Sequence, residues 1–237
     1  MIPYFDPVLM GLTIFFMIIG MIVSGRLKSK FHKYSQTQLT SGLSGKEVAE
    51  KMLREHQLHD VKVVSVQGQL TDHYNPANRT VNLSPDVYNG RNIAAAAVAA
   101  HECGHAIQHA TAYAWLNMRT KMVPVVQFGS MLMNFVLIGM VILAGVSPWL
   151  GNTALIVIIV GQSLITLFSI ITLPVEVDAS KRALAWLDNS YVARTSKESA
   201  EAKDALNWAA YTYFVAALAS IATLLYFIMR FLGSNRE

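Results

Sequence analysis

The chain has 237 residues, 53% of them hydrophobic and only 14% charged, with a mean hydropathy of +0.37. That composition excludes an ordinary soluble domain and points to a chain lying largely in a bilayer. The net charge of +4 comes with no basic stripe interleaved with aromatics, so it reads as membrane-flanking Lys and Arg and excludes a nucleic-acid surface. Cys103 stands alone, so no intramolecular disulfide can form and nothing argues for an oxidising compartment.

Four apolar stretches, near residues 8–23, 123–146, 154–173 and 208–229, contain no Asp, Glu, Lys, Arg or His. A helix needs about 20 apolar residues to cross a bilayer, so the last three are long enough as they stand. The first is extended toward the interface by Ile2, Tyr4 and Phe5. It has no basic leader and no small-residue cleavage site, which makes it an anchor. Arg230 and Arg236 lie beyond the last stretch, and every other Lys and Arg falls within residues 26–121 or 175–207. The positive-inside bias therefore places both of those segments on the cytoplasmic side, with the termini outside.

This predicts a mainly α membrane protein with about four transmembrane helices and a small cytoplasmic β-sheet. Residues 1–25 form an anchor, 26–121 a cytoplasmic region, 122–174 a transmembrane hairpin around a turn at 147–153, 175–207 a cytoplasmic helix, and 208–237 a last transmembrane helix and tail.

Ser44-Gly45-Lys46-Glu47 is a capping box with Leu43 and Val48 as its staple, opening a helix to about Leu58. Val61–Val66 reads as a strand, and Leu70–Tyr74 and Thr80–Leu83 flank the turn cluster Asn75-Pro76-Ala77-Asn78 as a hairpin. Ser84 with Pro85 predicts a helix start. Asn92 caps a longer helix that runs through the alanines at 94–100 into His101-Glu102-Cys103-Gly104-His105.

His101 and His105 stand four residues apart, on one helix face, where both imidazoles can bind one zinc ion. Glu102 can reach a zinc-activated water and take its proton. Cys103 points off that face and reads as packing. Gly104 weakens the helix relative to alanine, which a close backbone approach would explain.

A catalytic zinc takes three protein ligands. His109 lies eight residues beyond His101, about 12 Å along the axis, whereas a zinc contact is only about 2 Å. Glu176 follows the third apolar stretch, and the hairpin of the second and third stretches returns it to the side of His101.

The pieces Thr71–Pro76, Thr80–Tyr88, Ala99–His109 and Pro174–Ser180 resemble the YugP-type family of neutral zinc metallopeptidases, in order and over nearly the whole chain. The chain is similar, more distantly, to the HtpX and CAAX-protease group. The resemblance implies a zincin-like, gluzincin-like catalytic region with one Zn2+ on His101, His105 and Glu176, and Glu102 as base. The distant group carries an aspartate four residues after the ligand glutamate, where this chain has Ser180, with Asp178 two residues after.

Thr80–Leu83, with Val81, Asn82 and Leu83, is placed as the edge strand that pairs with an extended substrate. His73, Tyr74, His109, Arg182 and Tyr191 are candidates for contacting substrate or stabilising an oxyanion. Gln127, Ser130 and Asn134 are expected to face Gln162, Ser163, Thr166 and Ser169 as interhelical glue.

The reading is a membrane-embedded endopeptidase acting on membrane or membrane-proximal polypeptides at the cytoplasmic face. Its partners are a polypeptide substrate and the lipid bilayer, with a membrane-protein partner or a homo-oligomer left open. A non-catalytic zinc scaffold is the alternative. A metal transporter would need ionisable ligands inside the spans.

Overall fold

The computed structural model describes residues 6–143 and 148–234. The interfacial extension at Ile2, Tyr4 and Phe5, part of the turn at 147–153, and Arg236 lie outside the described residues.

Seven helices and three strands are described: α1 (Pro7–Ser35), α2 (Gly45–Glu55), β1 (Lys62–Ser65), β2 (His73–Asn75), β3 (Thr80–Leu83), α3 (Pro85–Asn89), α4 (Ile93–Ala110), α5 (Ala114–Leu143), α6 (Pro148–Asn189) and α7 (Ser196–Ser234). They fall into two compact units. One comprises residues 1–22, 118–173 and 212–237; the other comprises 23–117 and 174–211.

The first unit is apolar helix. Among the described residues, Pro7–Ser35, Thr153–Asn189 and Ser196–Gly233 are long and apolar enough to cross a membrane. The predicted stretch at 123–146 lies mainly on α5. Gln162 Nε2 and Thr166 Oγ1 each donate to the Ser220 carbonyl at 3.1 Å, so these two polar groups tie α6 to α7. Ser163 and Ser169 bond back to their own helix. Asp6 caps the start of α1 and accepts from Arg230 of α7 at 2.6 Å.

The second unit is built around α4. Its alanines let neighbours approach from several sides, and Ile93–Ala97, Ala99, Ala100, Cys103, Ala106 and Ile107 are all buried. The capping box of α2 forms as expected. Ser44 Oγ accepts from the Glu47 N–H, and Glu47 accepts from the Ser44 N–H at 2.7 Å. α2 ends at Glu55, three residues before the expected Leu58, because Gln57 turns to a φ of 60°. α3 begins at Pro85 as expected, although the Ser84 hydroxyl turns to Asp72 and leaves the helix without a side-chain cap.

The sheet corrects one expectation. Its order is β1-β3-β2, with β1 parallel and β2 antiparallel to β3. Thr80–Leu83 is therefore the central strand, buried along its whole length, and Val81, Asn82 and Leu83 cannot pair with a substrate. A strand bonded on both sides has no free backbone groups. The hairpin was legible in the sequence, but the parallel partner arrives from across a longer connection. The edge strand that follows the hairpin turn backwards is β2.

α6 also differs from expectation. It runs unbroken for 42 residues through Pro174, so Glu176 sits on the same helix as the third apolar stretch. Long membrane-type helices tolerate an internal proline where neighbours satisfy the freed carbonyl.

Candidate metal centre

His101 and His105 project from one face of α4, with ring centroids 4.8 Å apart and nearly perpendicular planes. Glu176 comes from α6, 2% exposed. Its Oε2 lies 3.3 Å from His101 Nε2 and 3.6 Å from His105 Nε2. The three groups offer donor atoms all within 4.8 Å of one another.

These distances suit a metal. Four ligands at about 2.0–2.1 Å around a tetrahedral zinc stand about 3.3 Å apart, close to the two spacings found here. Two imidazole nitrogens and one carboxylate oxygen form a catalytic zinc set, which keeps a fourth position for water. Burial of His105 opposes its protonation, but the neighbouring Glu176 carboxylate and the field of Glu102 outweigh it and raise its pKa above the ordinary imidazole value. The surroundings therefore favour positive charge at this spot, which a bound cation would also provide.

The approach of α6 to α4 rests on Gly104. A Cβ there would stand 2.7 Å from the Ala179 carbonyl oxygen and 3.1 Å from its Cα. The close backbone neighbour inferred from the sequence is thus the turn of α6 just after Glu176. Cys103, on the far face, is wholly buried with its thiol 3.6 Å from the Ala49 carbonyl, and burial pushes its pKa far up. It packs and does not react.

Glu102 is nearly buried, and its Oε2 accepts from the Tyr74 N–H at 2.9 Å. That N–H points out of the free side of β2, so the edge strand holds the carboxylate. The Tyr74 hydroxyl meets His109 Nδ1 at 2.9 Å, and burial raises its pKa. His109, one turn beyond His105, is thus engaged with Tyr74.

The other candidates are placed elsewhere. His73 is exposed, with Nδ1 2.7 Å from the Thr71 carbonyl. Arg182 donates to Asp178 at 2.6 Å and lies over the Tyr113 ring. Tyr191 is 77% exposed in the turn after α6.

Three further residues border the site. Ser180 Oγ lies 3.1 Å from His101 Nδ1, so the side chain four residues after Glu176 does reach a histidine, with a hydroxyl. Gln108 Oε1 lies 3.0 Å from His105 Nδ1. Gln108 Nε2 donates to the Val175 carbonyl and to Asp178 Oδ2, both at 2.8 Å. Gln108 went unnoticed in the sequence, though its signal was there: three residues past His105 on a helix, it faces the same side.

A family model described as "Putative neutral zinc metallopeptidase" matches residues 9–232. The "Putative membrane protease YugP" of Bacillus subtilis (strain 168) is 42% identical over 213 residues, covering 90% of this chain and 91% of that protein. No solved structure matches the chain. With a family model spanning nearly its whole length, and the His101, His105 and Glu176 donors gathered in one place, this chain belongs to the neutral zinc metallopeptidase family that the model describes.

Proposed function

We propose that the protein is a membrane-embedded zinc endopeptidase that cleaves membrane or membrane-proximal polypeptides at the cytoplasmic face. The observation that carries this reading is the convergence of His101, His105 and Glu176 beside a separately held carboxylate, Glu102. The ligands are His101 and His105 through Nε2 and Glu176 through its carboxylate. One zinc ion held there would supply a water acidic enough to serve as nucleophile near neutral pH.

Glu102 is the general base. The Tyr74 N–H occupies Oε2 and leaves Oε1 to take the proton. The same group then returns the proton to the leaving amine, as a single carboxylate can in both directions. The Tyr74 hydroxyl, held by His109 on the residue whose N–H holds Glu102, is assigned to the carbonyl oxygen of the substrate.

A non-catalytic zinc scaffold would need the three ligands but not Glu102. Glu102→Gln separates the two readings. Zinc content should stay at wild-type level while cleavage of a detergent-solubilised membrane-protein substrate falls by about 10²–10⁴-fold. Undiminished cleavage would sink the peptidase reading.

The four-span topology and the cytoplasmic placement are part of the proposal. The basic residues of 26–121 and 175–207 support it, and so does the Asp6–Arg230 pair, which joins the start of α1 to the last turns of α7. Lys197, whose side chain is 74% exposed, is a suitable reporter, whereas buried Cys103 is silent. Lys197→Cys should resist an impermeant thiol reagent in intact cells and react after permeabilisation. Labelling in intact cells would reverse the orientation.

A further inference from the structure

We propose that Gln108 is a positioning residue that holds His105 in the tautomer able to bind the metal, and that Asp178 acts on His105 through it. This rests on the reading of His101, His105 and Glu176 as the ligand set. Gln108 is fully buried, and one of its terminal atoms lies 2.8 Å from the Val175 carbonyl. A carbonyl oxygen only accepts, so that atom is the amide nitrogen. Asp178 Oδ2, 2.8 Å from the same nitrogen, takes the second proton of the amide.

Both donors are then used, and Oε1 is left facing His105 Nδ1 at 3.0 Å. An amide oxygen also only accepts, so His105 Nδ1 carries the proton. In the neutral ring the lone pair is therefore on Nε2, the nitrogen that faces Glu176 at 3.6 Å. The orientation of one amide decides which nitrogen of the ligand is free.

Asp178 completes the device. Its Oδ2 also accepts from Arg182 Nε at 2.6 Å, which fixes the carboxylate against the amide. Hydrogen bonds in such a chain polarise one another, so a carboxylate on the NH₂ end makes the amide oxygen a better acceptor. Metal-bound histidines commonly donate their other nitrogen to a carboxylate or carbonyl. Here the carboxylate stands one side chain further back. The two histidines are thus held differently: His101 by the Ser180 hydroxyl, and His105 by a buried amide backed by Asp178.

The test uses the full chain in detergent. Gln108→Met keeps the side-chain length and removes the acceptor. Its zinc affinity, measured against a competing chelator, should fall by about 10–100-fold. The visible spectrum of its cobalt-substituted form should shift. Asp178→Asn keeps an oxygen acceptor for the Gln108 amide and removes only the charge, so its affinity should fall less than that of Gln108→Met. Gln108→Met binding zinc as tightly as wild type would overturn the proposal. Equal loss in Asp178→Asn and Gln108→Met would also overturn it, since Asp178 would then not act through the amide.

A second measurement needs no variant. The ¹⁵N shifts of His105 in metal-free wild-type protein should show a protonated Nδ1. An unprotonated Nδ1 would refute the inference even if zinc binds normally. Zinc that binds equally well to wild type and His105→Ala would instead refute the ligand reading beneath it, and the His105 shifts would then still report the tautomer.

Discussion

Gly104→Ala is the sharpest test of how the site is assembled. The added Cβ would meet the Ala179 carbonyl oxygen at 2.7 Å and its Cα at 3.1 Å. Ordinary contact begins near about 3.4 Å, a shortfall of roughly 0.7 Å to the oxygen. Both atoms are backbone, so no rotamer change relieves the contact, and α4 and α6 must separate. Overpacking of this kind costs about 1–3 kcal/mol, while replacing a helical glycine with alanine returns about 1 kcal/mol. The net loss is then about 0–2 kcal/mol, a lowering of Tm by a few degrees for a chain of this size.

The effect on metal should be larger than the effect on stability. Ala179 lies three residues after Glu176 on the same helix, so the displaced segment carries the proposed third ligand. Ligand distances tolerate about ±0.2 Å, less than the shortfall even when both helices share it. Zinc affinity by chelator competition is expected to fall at least tenfold, with Tm measured on the metal-free protein as the control for folding. A Gly104→Ala protein that melts at or above the wild-type temperature and binds zinc with wild-type affinity would refute the close approach of the two helices.

Zinc per chain should drop from near one to near zero in Glu176→Ala and stay near one in His109→Ala; the reverse pattern would assign the third ligand to α4 alone. Tyr74→Phe should lower turnover by about 10²-fold with zinc content unchanged, and no loss of turnover would remove the hydroxyl from the reaction. Ser44→Ala deletes the capping box of α2 and should destabilise the fold by about 1 kcal/mol, read as a lowered thermal midpoint. The Ser44 N–H and then Arg91 hold the Glu47 carboxyl below its usual range. Its contribution is therefore present above the ordinary carboxylate pKa and is lost as pH falls through the lowered folded value. Thermal midpoints of wild type and Glu47→Gln should converge on acidification, and a constant gap down to the lowest pH at which the chain folds would contradict this.

Much of this protein was legible in its amino-acid order because the relevant physics is local. Spans longer than a bilayer is thick declare themselves by the absence of charge, and the capping box at Ser44 and the Asn92 cap are read from spacing alone. His101, Glu102 and His105 are neighbours on one helix, so their shared site follows from the helical repeat. Glu176 could be inferred from the rise per residue and the hairpin topology, because eight residues of helix are too long for His109 to join the other two. Gly104 signalled a close contact without saying with what.

Other features depend on which segment lies across from which, and sequence distance carries no such information. Thr80–Leu83 became the central strand because β1, some eighteen residues earlier, pairs with it in parallel register. Tyr74 offers Glu102 a backbone N–H, a group every residue but proline carries, so no side-chain pattern announces it. Ser180, Gln108 and Asp178 gain their places only when α6 lies against α4 at Gly104, which sets a hydroxyl on one histidine and an amide on the other. The residue types of the candidate metal set were written in the chain; the partners that orient them came from packing, because a hydrogen bond needs atoms within about 3 Å whatever their separation in sequence.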